Sequence, residues 1–274
     1  MTATQQDKAT RFRALHEAPE VFLMANAWDA GSARVLAGLG FAALATSSGA
    51  SAGVLGRRDG KVTRDEALAH CRAIVASTDL PVSADLENGF GHAPQDAART
   101  IGLAAETGLV GGSIEDATGN ADKPLYAFAH AVERVAAGVE AARQLPFHFT
   151  LTARAENYLR GNPDLDDTIA RLQAFEKAGA DVLFAPGLPD LDAVRKVCAA
   201  LDKPFSFMAG IKGKSFTVAQ LAQAGVRRIS LATSLYRAAM TGLIDAAREI
   251  KDEGTFTYLD RTISTPDFNK FMQG

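Results

Sequence analysis

The chain has 274 residues, of which 47% are hydrophobic and 22% charged, and its net charge at pH 7 is −3. This composition is ordinary for a globular protein, and the charge gives no reason to expect nucleic acid or an anionic membrane as a partner. No apolar stretch approaches the roughly 20 residues of a membrane span. Residues 1–8 are polar and lack the apolar core of a secretory signal. We therefore expect a cytoplasmic protein.

The chain contains two cysteines, Cys71 and Cys198, which lie far apart within helical patterns. We expect both to be buried free thiols, as in a reducing cytoplasm. Their spacing excludes a zinc site built from cysteines.

Short apolar runs alternate with helical patterns along the whole chain. Strands are predicted at 21–24, 41–45, 80–84, 111–114, 147–153, 182–185, 204–208 and 226–231. Helices are predicted near 12–16, at 30–37, from 63 onward, at 94–107, 127–143 and 165–178, after 190, and at 217–223, 232–250 and 266–272. Between strand two and the helix that opens at Thr63, residues 46–60 are expected to form a long polar loop.

This order of elements predicts an α/β fold, the (β/α)8 TIM barrel. The strand runs are apolar rather than alternating, as in buried parallel strands, and eight strand–helix units at this length favour closure into a barrel. The alternative, an open doubly wound sheet, requires a glycine-rich dinucleotide turn after strand one, and residues 26–31 do not form one. Residues 1–250 are expected to form a single catalytic barrel, and residues 251–274 a helical tail.

The third predicted strand ends in two carboxylates, Asp85 and Glu87, followed by Gly89 and Gly91. Side chains two residues apart on a strand point the same way, so the two acids can share one hard cation. Glycines let the backbone approach a ligand closely. The alternative is an acidic turn, which uses the same residue types.

In a (β/α)8 barrel the carboxyl ends of all strands open on the face that carries the active site. The polar residues at these ends are Asn26, Trp28, Asp29, Ser47, Ser48, Asp59, Asp85, Glu87, Glu115, Asp116, Arg154, Glu156, Lys212 and Lys214. An oxygen-rich set of this kind suits Mg²⁺ or Mn²⁺ with bound waters rather than zinc. One arginine opposite the acids would clamp a carboxylate or phosphonate, and the strand-two loop offers hydroxyls and N–H groups to an anion.

Each of these features also has a purely structural interpretation. Glu115 or Asp116 alone could cap a helix, and Arg154 with Glu156 could form a salt bridge of little worth at the rim. The serines of the strand-two loop could be turn formers. The joint occurrence of these groups at consecutive strand ends favours a site.

Two further motifs call for an interpretation. Residues 210–215 resemble the end of a nucleotide-binding P-loop, but the first glycine of that motif would fall at Met208, so nucleotide binding is excluded. An anion site after strand seven that includes Lys212 is still expected. His92, in the strand-three loop, could act as an acid or base; the alternative is a solvated loop histidine.

Five motifs in this order resemble the isocitrate lyase/phosphoenolpyruvate mutase superfamily over nearly the whole chain. They are Asn-Ala-Trp-Asp-Ala-Gly-Ser-Ala at 26–33, Thr-Ser-Ser-Gly at 46–49, Ala-Asp-Leu-Glu-Asn-Gly-Phe-Gly at 84–91, Ser-Ile-Glu-Asp at 113–116 and Ala-Arg-Ala-Glu at 153–156. The resemblance implies a helix-swapped barrel whose last helix packs on a neighbouring subunit in a homotetramer. It also implies a Mg²⁺-dependent reaction at a 2-oxo acid or its enolate.

The resemblance further implies roles for individual residues. Asp85 would bind the metal directly, and Glu87 and Glu115 would hold metal-bound waters. Ser47, Ser48 and Gly49 would bind the substrate carboxylate, Arg154 would bind a second anionic group, and Asp59 would lie near the metal. The expected catalytic residues are Asp59, Glu115 and Arg154. The expected substrate-binding set is completed by Trp28, Asp29, the lid residue Asn120 and, from its position alone, Lys212.

Departures from the family pattern narrow the range of activities that we expect. Isocitrate and methylisocitrate lyases carry a Lys-Lys-Cys-Gly-His lid after strand four, whereas residues 117–124 contain no cysteine and the chain is far shorter than an isocitrate lyase. Glu87 stands where the family usually has aspartate. We therefore expect a short, phosphoenolpyruvate mutase-like member rather than a true isocitrate lyase.

The expected activity is cleavage of a carbon–carbon bond in a small 2-hydroxy or 2-oxo diacid, of the oxaloacetate, substituted malate or methylisocitrate type, through a pyruvate enolate. One alternative is the carbon–phosphorus chemistry of a phosphoenolpyruvate mutase or phosphonopyruvate hydrolase. A further alternative is a barrel that binds a metabolite without turnover.

Overall fold

A computed structural model describes residues 3–214 and 216–273, and its central feature is a closed barrel of parallel strands. The strands pair in chain order and β8 closes on β1. Their bounds are Phe22–Asn26 (β1), Ala43–Ala45 (β2), Val82–Asp85 (β3), Gly111–Glu115 (β4), Thr150–Arg154 (β5), Val182–Phe184 (β6), Phe205–Met208 (β7) and Arg228–Ser230 (β8). The predicted (β/α)8 barrel is confirmed.

Helices surround this barrel on the outside. Their bounds are Gln5–Glu17 (α1), Ala30–Gly38 (α2), Ser48–Val54 (α3), Arg64–Val75 (α4), Pro94–Ala105 (α5), Phe128–Arg143 (α6), Leu165–Lys177 (α7), Leu191–Ala199 (α8), Val218–Gln223 (α9), Ser234–Arg248 (α10) and Thr265–Met272 (α11). Within the described part of the chain, no helix is long and apolar enough to cross a membrane.

The strand register brings the polar strand ends of β3, β4 and β5 side by side. Asp85 of β3 pairs with Ser113 of β4, and Glu115 of β4 pairs with Arg154 of β5. The prediction placed Arg154 just after its strand, whereas it is the last residue of β5 and its side chain is buried. Three of the predicted site residues are therefore fixed by the barrel itself rather than by loops.

The opposite end of the barrel is covered by α1. Phe12 of this helix is completely buried and packs with Met24 and Val110. Gly111 makes the close approach possible, because a Cβ at that position would lie 2.9 Å from Phe12 Cε1 and 2.9 Å from the Thr150 carbonyl oxygen. Such distances are shorter than real contacts of a Cβ, so β4 needs glycine here.

The prediction of a long polar loop at 46–60 is wrong for its first half, which forms α3. The residues of α3 are small, so the helix can pack tightly, and Ala50 and Ala52 are buried. A Cβ on Gly53 would lie 2.5 Å from the hydroxyl oxygen of Tyr236 at the start of α10. Tertiary packing, rather than local helix propensity, decides the structure of this segment.

The C-terminal part leaves the barrel along α10, which has no buried residue. Leu243 and Ile244 of this helix are 59% and 44% exposed. The predicted helix in the tail is present as α11, which packs on α2 of the same chain, where Arg34 Nη1 donates to the Met272 carbonyl at 2.6 Å. Packing of the tail and of the last barrel helix on a neighbouring subunit stays a prediction.

Candidate active site

A cavity of about 1120 Å³ opens at the carboxyl ends of the strands. It brings together eight of the residues predicted for the site: Ser47, Ser48, Gly49, Asp59, Asp85, Glu87, Glu115 and Arg154. The face that the fold reserves for activity is therefore the face on which these groups converge.

Arg154 lies at the centre of the acidic groups in this cavity. Its Nη1 is 3.1 Å from Asp85 Oδ1, and its Nη2 is 3.2 Å from Glu115 Oε2 and 2.7 Å from Glu156 Oε1. Burial alone would lower the pKa of Arg154, but the surrounding carboxylates raise it well above its ordinary value. The guanidinium is therefore permanently charged.

Glu156 belongs to the polar strand-end set of the sequence, which assigns it no role, and its salt bridge with Arg154 is buried in the site rather than at the rim. Its side chain is completely buried, and it accepts hydrogen bonds from both Nε and Nη2 of Arg154. Glu156 Oε2 accepts no hydrogen bond, and the nearest cation atom is Nη2 of Arg160 at 3.4 Å. Arg160 lies four residues after Glu156, a spacing that could have identified the pair from the sequence.

Glu115 is the most perturbed acid of the cavity. Burial raises its pKa well above the ordinary value, the neighbouring Glu156 carboxylate adds to this, and Arg154 opposes it. Arg160 Nη2 donates to Glu115 Oε1 at 3.0 Å. A buried carboxyl group whose protonated form is favoured in this way is a candidate for proton exchange with a ligand.

Asp85 is held as an anion. Burial would raise its pKa, but Arg154 and the backbone N–H groups of Glu87 and Ser48 lower it below the ordinary value. These N–H groups donate to Oδ1 at 3.2 Å and to Oδ2 at 3.3 Å respectively. Asp85 therefore presents a fixed negative charge at the end of β3.

Glu87 lies beside Asp85 in a region crowded with negative charge. Burial, together with the negative charges of Asp85 and Asp59, raises the pKa of Glu87 to about 7. Crowded carboxylates of this kind are what a bound cation relieves. Asp59 itself is at the cavity wall and accepts from the N–H of Gly60.

The donor set fits a hydrated Mg²⁺ or Mn²⁺ ion. No three His, Cys, Asp or Glu side chains of residues 3–214 and 216–273 stand close enough to enclose a metal by themselves. Mg²⁺ does not require such a cage, because it keeps several waters and often takes only one or two carboxylates from the protein. Asp85 can be the direct ligand, with Glu87 and Glu115 bonded to metal waters.

Ser47, Ser48 and Gly49, which follow β2, line the same cavity as the acids. The Ser47 side chain makes no capping hydrogen bond to α3, so its hydroxyl is free to face a ligand. A Cβ on Gly49 would lie 2.9 Å from Thr233 Cγ2 and 3.4 Å from Asp59 Oδ2. The glycine therefore lets α3 approach both the Asp59 loop and the start of α10.

Asp116 is neither a helix cap nor a cavity residue, although capping was considered for it. Its Oδ1 accepts from the Glu156 N–H at 2.8 Å, and its Oδ2 lies 3.1 Å from Arg171 Nη1. Burial raises its pKa to about 6. Asp116 thus fixes the backbone of Glu156. Glu115, for which capping was also considered, ends β4 inside the cavity.

Two predicted substrate-binding residues lie outside both cavities and make structural contacts. The Trp28 ring packs edge-on against Tyr236 with 5.7 Å between centroids. Asp29 caps α2, accepting from the Ser32 N–H at 2.6 Å. Asn120 lines a smaller adjoining cavity with Thr118, Gly119, Lys123 and His92. The substrate contacts assigned to all three stay predictions.

The segment after β7 contributes backbone rather than lysines to the cavity. Gly210 and Ile211 line it, whereas Lys212 lines neither cavity and Lys214 Nζ donates to the Gly187 carbonyl at 2.9 Å. Ser215, the last residue of the P-loop comparison, lies outside the described residues. An anion site that uses Lys212 stays a prediction.

Arg228 forms the floor of the cavity and was not predicted. It is buried, and its guanidinium donates to Ser206 Oγ at 2.9 Å and to Thr152 Oγ1 at 3.1 Å. Burial lowers the pKa of Arg228 to about 9, and the positive charge of Arg154 contributes. The barrel interior is thus polar beneath the site, where (β/α)8 barrels usually carry branched aliphatic side chains.

The family model described as phosphoenolpyruvate phosphomutase matches residues 12–251. The chain belongs to this family. It is 30% identical to the oxaloacetate decarboxylase of Chromohalobacter salexigens over 92% of this chain and 88% of the relative. It is 32% identical to the "Probable 2-methylisocitrate lyase 2" of Corynebacterium glutamicum over 94% of this chain and 85% of the relative.

Among solved structures, a lyase/mutase-type protein of Burkholderia cenocepacia J2315 shares 51% identity and a TM-score of 0.96, covering 98% of this chain and 97% of the other. Membership of the phosphoenolpyruvate phosphomutase family confirms the resemblance to the isocitrate lyase/phosphoenolpyruvate mutase superfamily. The matched range reaches from α1 to the end of α10. It therefore includes every residue that lines the large cavity.

Proposed function

We propose that this chain is a Mg²⁺-dependent lyase that cleaves a carbon–carbon bond of a small 2-hydroxy or 2-oxo diacid. A 2-oxo diacid such as oxaloacetate would leave the enolate of pyruvate, whereas a 2-hydroxy diacid would give pyruvate as the carbonyl product and leave the enolate of the departing carboxylate. The observation that carries the proposal is the contact of Arg154 with Asp85, Glu115 and Glu156 at the carboxyl ends of the strands. This arrangement places a charged clamp for an anion beside acids that suit a cation. The relatives named oxaloacetate decarboxylase and 2-methylisocitrate lyase support this substrate class.

In this proposal Asp85 holds the metal directly, and Glu87 and Glu115 hold it through waters. Mn²⁺ would suit the same oxygen donors. When bound, the ion supplies Lewis-acid stabilisation of the negative charge that develops on the enolate oxygen. The crowding that raises the pKa of Glu87 to about 7 supports a cation at this place.

The remaining groups bind and orient the substrate. We assign one substrate carboxylate to Ser47, Ser48 and Gly49, which line the cavity beside the acids. Arg154 holds the second anionic group, because its fork geometry matches a carboxylate bidentately. Binding both ends aligns the bond to be broken with the groups that stabilise the enolate.

Asp59 and Glu115 are proposed to handle protons. Asp59 lines the open side of the cavity, where a substrate hydroxyl can reach it. Burial raises the pKa of Glu115, which favours its protonated form, and a cation bound nearby would favour release of that proton. Trp28, Asp29, Asn120 and Lys212 would contact substrate only after movement of their segments.

A second candidate is carbon–phosphorus chemistry, as in a phosphoenolpyruvate mutase or phosphonopyruvate hydrolase. The description of the matching family favours it, and so does Asn120 beside the cavity, because phosphonate-handling members carry an asparagine in this lid. Both chemistries pass through an enolate, so the same acids and the same arginine serve either. A binding protein without turnover is the weakest alternative, because gripping an anion needs no cluster of carboxylates.

We also infer a homotetramer in the cytoplasm. Helix α10 has no buried residue and exposes Leu243 and Ile244, a surface that a neighbouring subunit would cover. Cys71 is buried, Cys198 is half-buried rather than buried as expected, and neither is in a disulfide. Unpaired cysteines support a reducing compartment.

The experiment that tests the function is an assay of product release by the purified protein with Mg²⁺ and with EDTA. The substrates are oxaloacetate, 2-methylmalate, 2,3-dimethylmalate, 2-methylisocitrate and phosphonopyruvate. Metal-dependent release of pyruvate from a carbon diacid is the expected result. Release from phosphonopyruvate alone, with phosphate, would favour the second candidate.

A further inference from the structure

The loop after β3 carries a histidine to which the proposed chemistry gives no role. His92 lines both the large cavity and the smaller adjoining cavity. Its Nδ1 lies 2.7 Å from the hydroxyl oxygen of Tyr126. Its Nε2 makes no hydrogen bond to any part of the chain that the structure describes, so this atom is open to whatever enters the cavities.

The hydrogen-bond network around Tyr126 fixes which ring nitrogen of His92 carries the proton. The backbone N–H of Phe90 donates to Asn88 Oδ1 at 3.1 Å, so the other end of the Asn88 amide must be its NH₂ group. That group donates to the Tyr126 oxygen at 3.3 Å. The Tyr126 hydroxyl can donate its own proton to His92 Nδ1 at 2.7 Å or to the Gly91 carbonyl at 3.5 Å, and the much shorter contact favours Nδ1. Neutral His92 therefore carries its proton on Nε2.

The backbone of this loop is held firmly in an unusual conformation. Glu87 and Phe90 have φ angles of 49° and 57°, which non-glycine residues adopt only when the surroundings impose them. Arg134, completely buried on α6, donates to the carbonyl oxygens of Asn88 and His92. His130 Nε2 also lies 2.9 Å from the His92 carbonyl. The loop is thus clamped at both ends.

The same arginine lies over the ring of Tyr126, where its positive charge favours a negative charge on the phenol oxygen. The guanidinium carbon of Arg134 lies 4.4 Å from the centroid of the Tyr126 ring. Asn88 Nδ2 donates to the phenol oxygen and would go on doing so if that oxygen became negative. Burial raises the pKa of Tyr126, and both Arg134 and the Asn88 donor oppose this by favouring a negative phenol oxygen.

We propose that His92 and Tyr126 form a proton relay that protonates the carbon of the enolate released by bond cleavage. This inference rests on the proposed lyase function. The Nε2–H bond of His92 breaks and a C–H bond forms with the electron pair left from the cleaved bond. Nδ1 takes the Tyr126 proton in the same event. The relay is reset when Nε2 of the exposed His92 takes a proton from solvent and Nδ1 returns its proton to the Tyr126 oxygen.

The direction of this transfer follows from the relative strength of the groups. An enolate carbon is a stronger base than a phenolate, so the proton moves toward carbon. The lid of this chain has no cysteine at 117–124 that could supply the proton instead. His92 itself is exposed at the rim, where it stays accessible to water after each turnover. The relay thus delivers a proton to one face of the bound enolate.

Exchange of the methyl protons of pyruvate in D₂O, followed by ¹H NMR with Mg²⁺ present, isolates this step from bond cleavage. The relay run in reverse predicts exchange by the wild type. His92→Gln is expected to lose about 100-fold, the scale of general acid–base catalysis. Tyr126→Phe is expected to lose exchange as well, although less. His148→Gln, which changes a histidine outside both cavities, should match the wild type.

Chemical rescue separates a proton donor from a merely structural residue. Added imidazole is expected to restore exchange to His92→Ala, whose missing ring leaves an opening at the exposed rim. Wild-type exchange rates in His92→Gln, or no exchange by the wild type, would overturn the relay. The product-release assay tests the lyase function separately. A wild type that cleaves none of the carbon diacids would mean that this function is wrong.

Discussion

Nη1 of Arg154 lies 3.1 Å from Oδ1 of Asp85, so the residue proposed to bind the substrate is paired with the residue proposed to bind the metal. Both belong to neighbouring parts of one barrel, at the ends of β5 and β3. The arginine keeps the aspartate ionised, and the aspartate with Glu115 and Glu156 keeps the arginine in place. A substitution of either residue is therefore expected to alter the position or the charge of the other.

Arg154→Lys is expected to lower kcat/KM on the order of 100-fold, because a lysine ammonium cannot form the same planar fork to several carboxylates and a substrate anion. Steady-state kinetics on the active diacid measures the loss, and thermal unfolding shows whether the barrel persists. The control is Arg57→Lys, whose pair with Glu66 is at the exposed surface. Activity of Arg154→Lys within twofold of the wild type would contradict the proposed clamp.

Asp85→Asn is expected to remove the metal site while leaving the fold intact. Asparagine has the same shape and keeps one acceptor oxygen for one of the two N–H donors, Ser48 or Glu87, but it lacks the charge that binds a hard cation. Titration with Mn²⁺, followed by electron paramagnetic resonance, measures the affinity. The matched control is Asp65→Asn, a cavity-lining carboxylate whose side chain is 92% exposed. Equal Mn²⁺ affinity in the two variants would count against Asp85 as a ligand.

The sequence predicts the barrel and the acids of β3 and β4 because these features are local. Asp85 ends β3, which places its carboxylate at the carboxyl end in any parallel barrel. The period-two argument for Glu87 is wrong, because Glu87 follows the strand in a left-handed turn with φ of 49° and reaches the cavity from there. The family motifs add Arg154. The predicted boundaries differ from the observed ones chiefly in β2, β5 and β8, where strands are shorter than the apolar runs.

The remaining features depend on contacts distant in sequence. Burial of Glu156 is set by Asp116 and Arg171 on neighbouring elements, and a sequence shows none of these partners. Helix α3 is stabilised by packing against Tyr236, almost 200 positions later. The polar barrel floor at Arg228 forms because side chains from three strands, β5, β7 and β8, point inward and meet there. Local sequence patterns do not show which distant residues come into contact.

Gly53→Ala is expected to destabilise the protein by about 1–3 kcal/mol, because the new methyl group would collide with the Tyr236 ring. Urea unfolding measures the change in free energy. Gly102→Ala is the control, since this glycine of α5 has open space around an added Cβ and should gain up to about 1 kcal/mol of helix stability. A neutral Gly53→Ala would mean that α10 and α3 are not packed as described.

Stability is expected to fall as the pH drops below about 6.5, through His16. Burial lowers the pKa of His16 to about 3, and the positive charge of Arg228 contributes. Between this pKa and that of the unfolded chain, His16 is neutral in the folded protein and protonated in the unfolded chain. Between these two pKa values the free energy of unfolding decreases by up to about 1.4 kcal/mol per pH unit from this residue. Above pH 6.5 the contribution is constant.

Urea unfolding of the wild type and of His16→Gln at pH 7.5, 6 and 5 measures this effect. The variant should show a shallower loss toward acid, since glutamine does not titrate. His130→Gln, which changes a histidine side chain that is 37% exposed, should keep the wild-type slope. Parallel pH profiles for wild type and His16→Gln would show that His16 is not buried neutral in solution.

Ile244→Glu is expected to dissociate the proposed tetramer, because it places a charge on the unburied apolar face of α10. Light scattering coupled to gel filtration gives the mass of each species. Val218→Glu is matched in exposure, at 44% for both residues, but lies on α9. A wild type that elutes as a monomer, or a variant that stays fully assembled, would contradict a subunit contact through α10.

The most direct test of the central claim compares product release from the carbon diacids by the wild type and by Asp85→Asn, each with Mg²⁺ and with EDTA. We expect the wild type to release a 2-oxo acid faster than the solution without protein only when the metal is present, and the variant to give no such increase under either condition. Equal release in EDTA, or by Asp85→Asn, would contradict a metal-dependent lyase built on the β3 carboxylates.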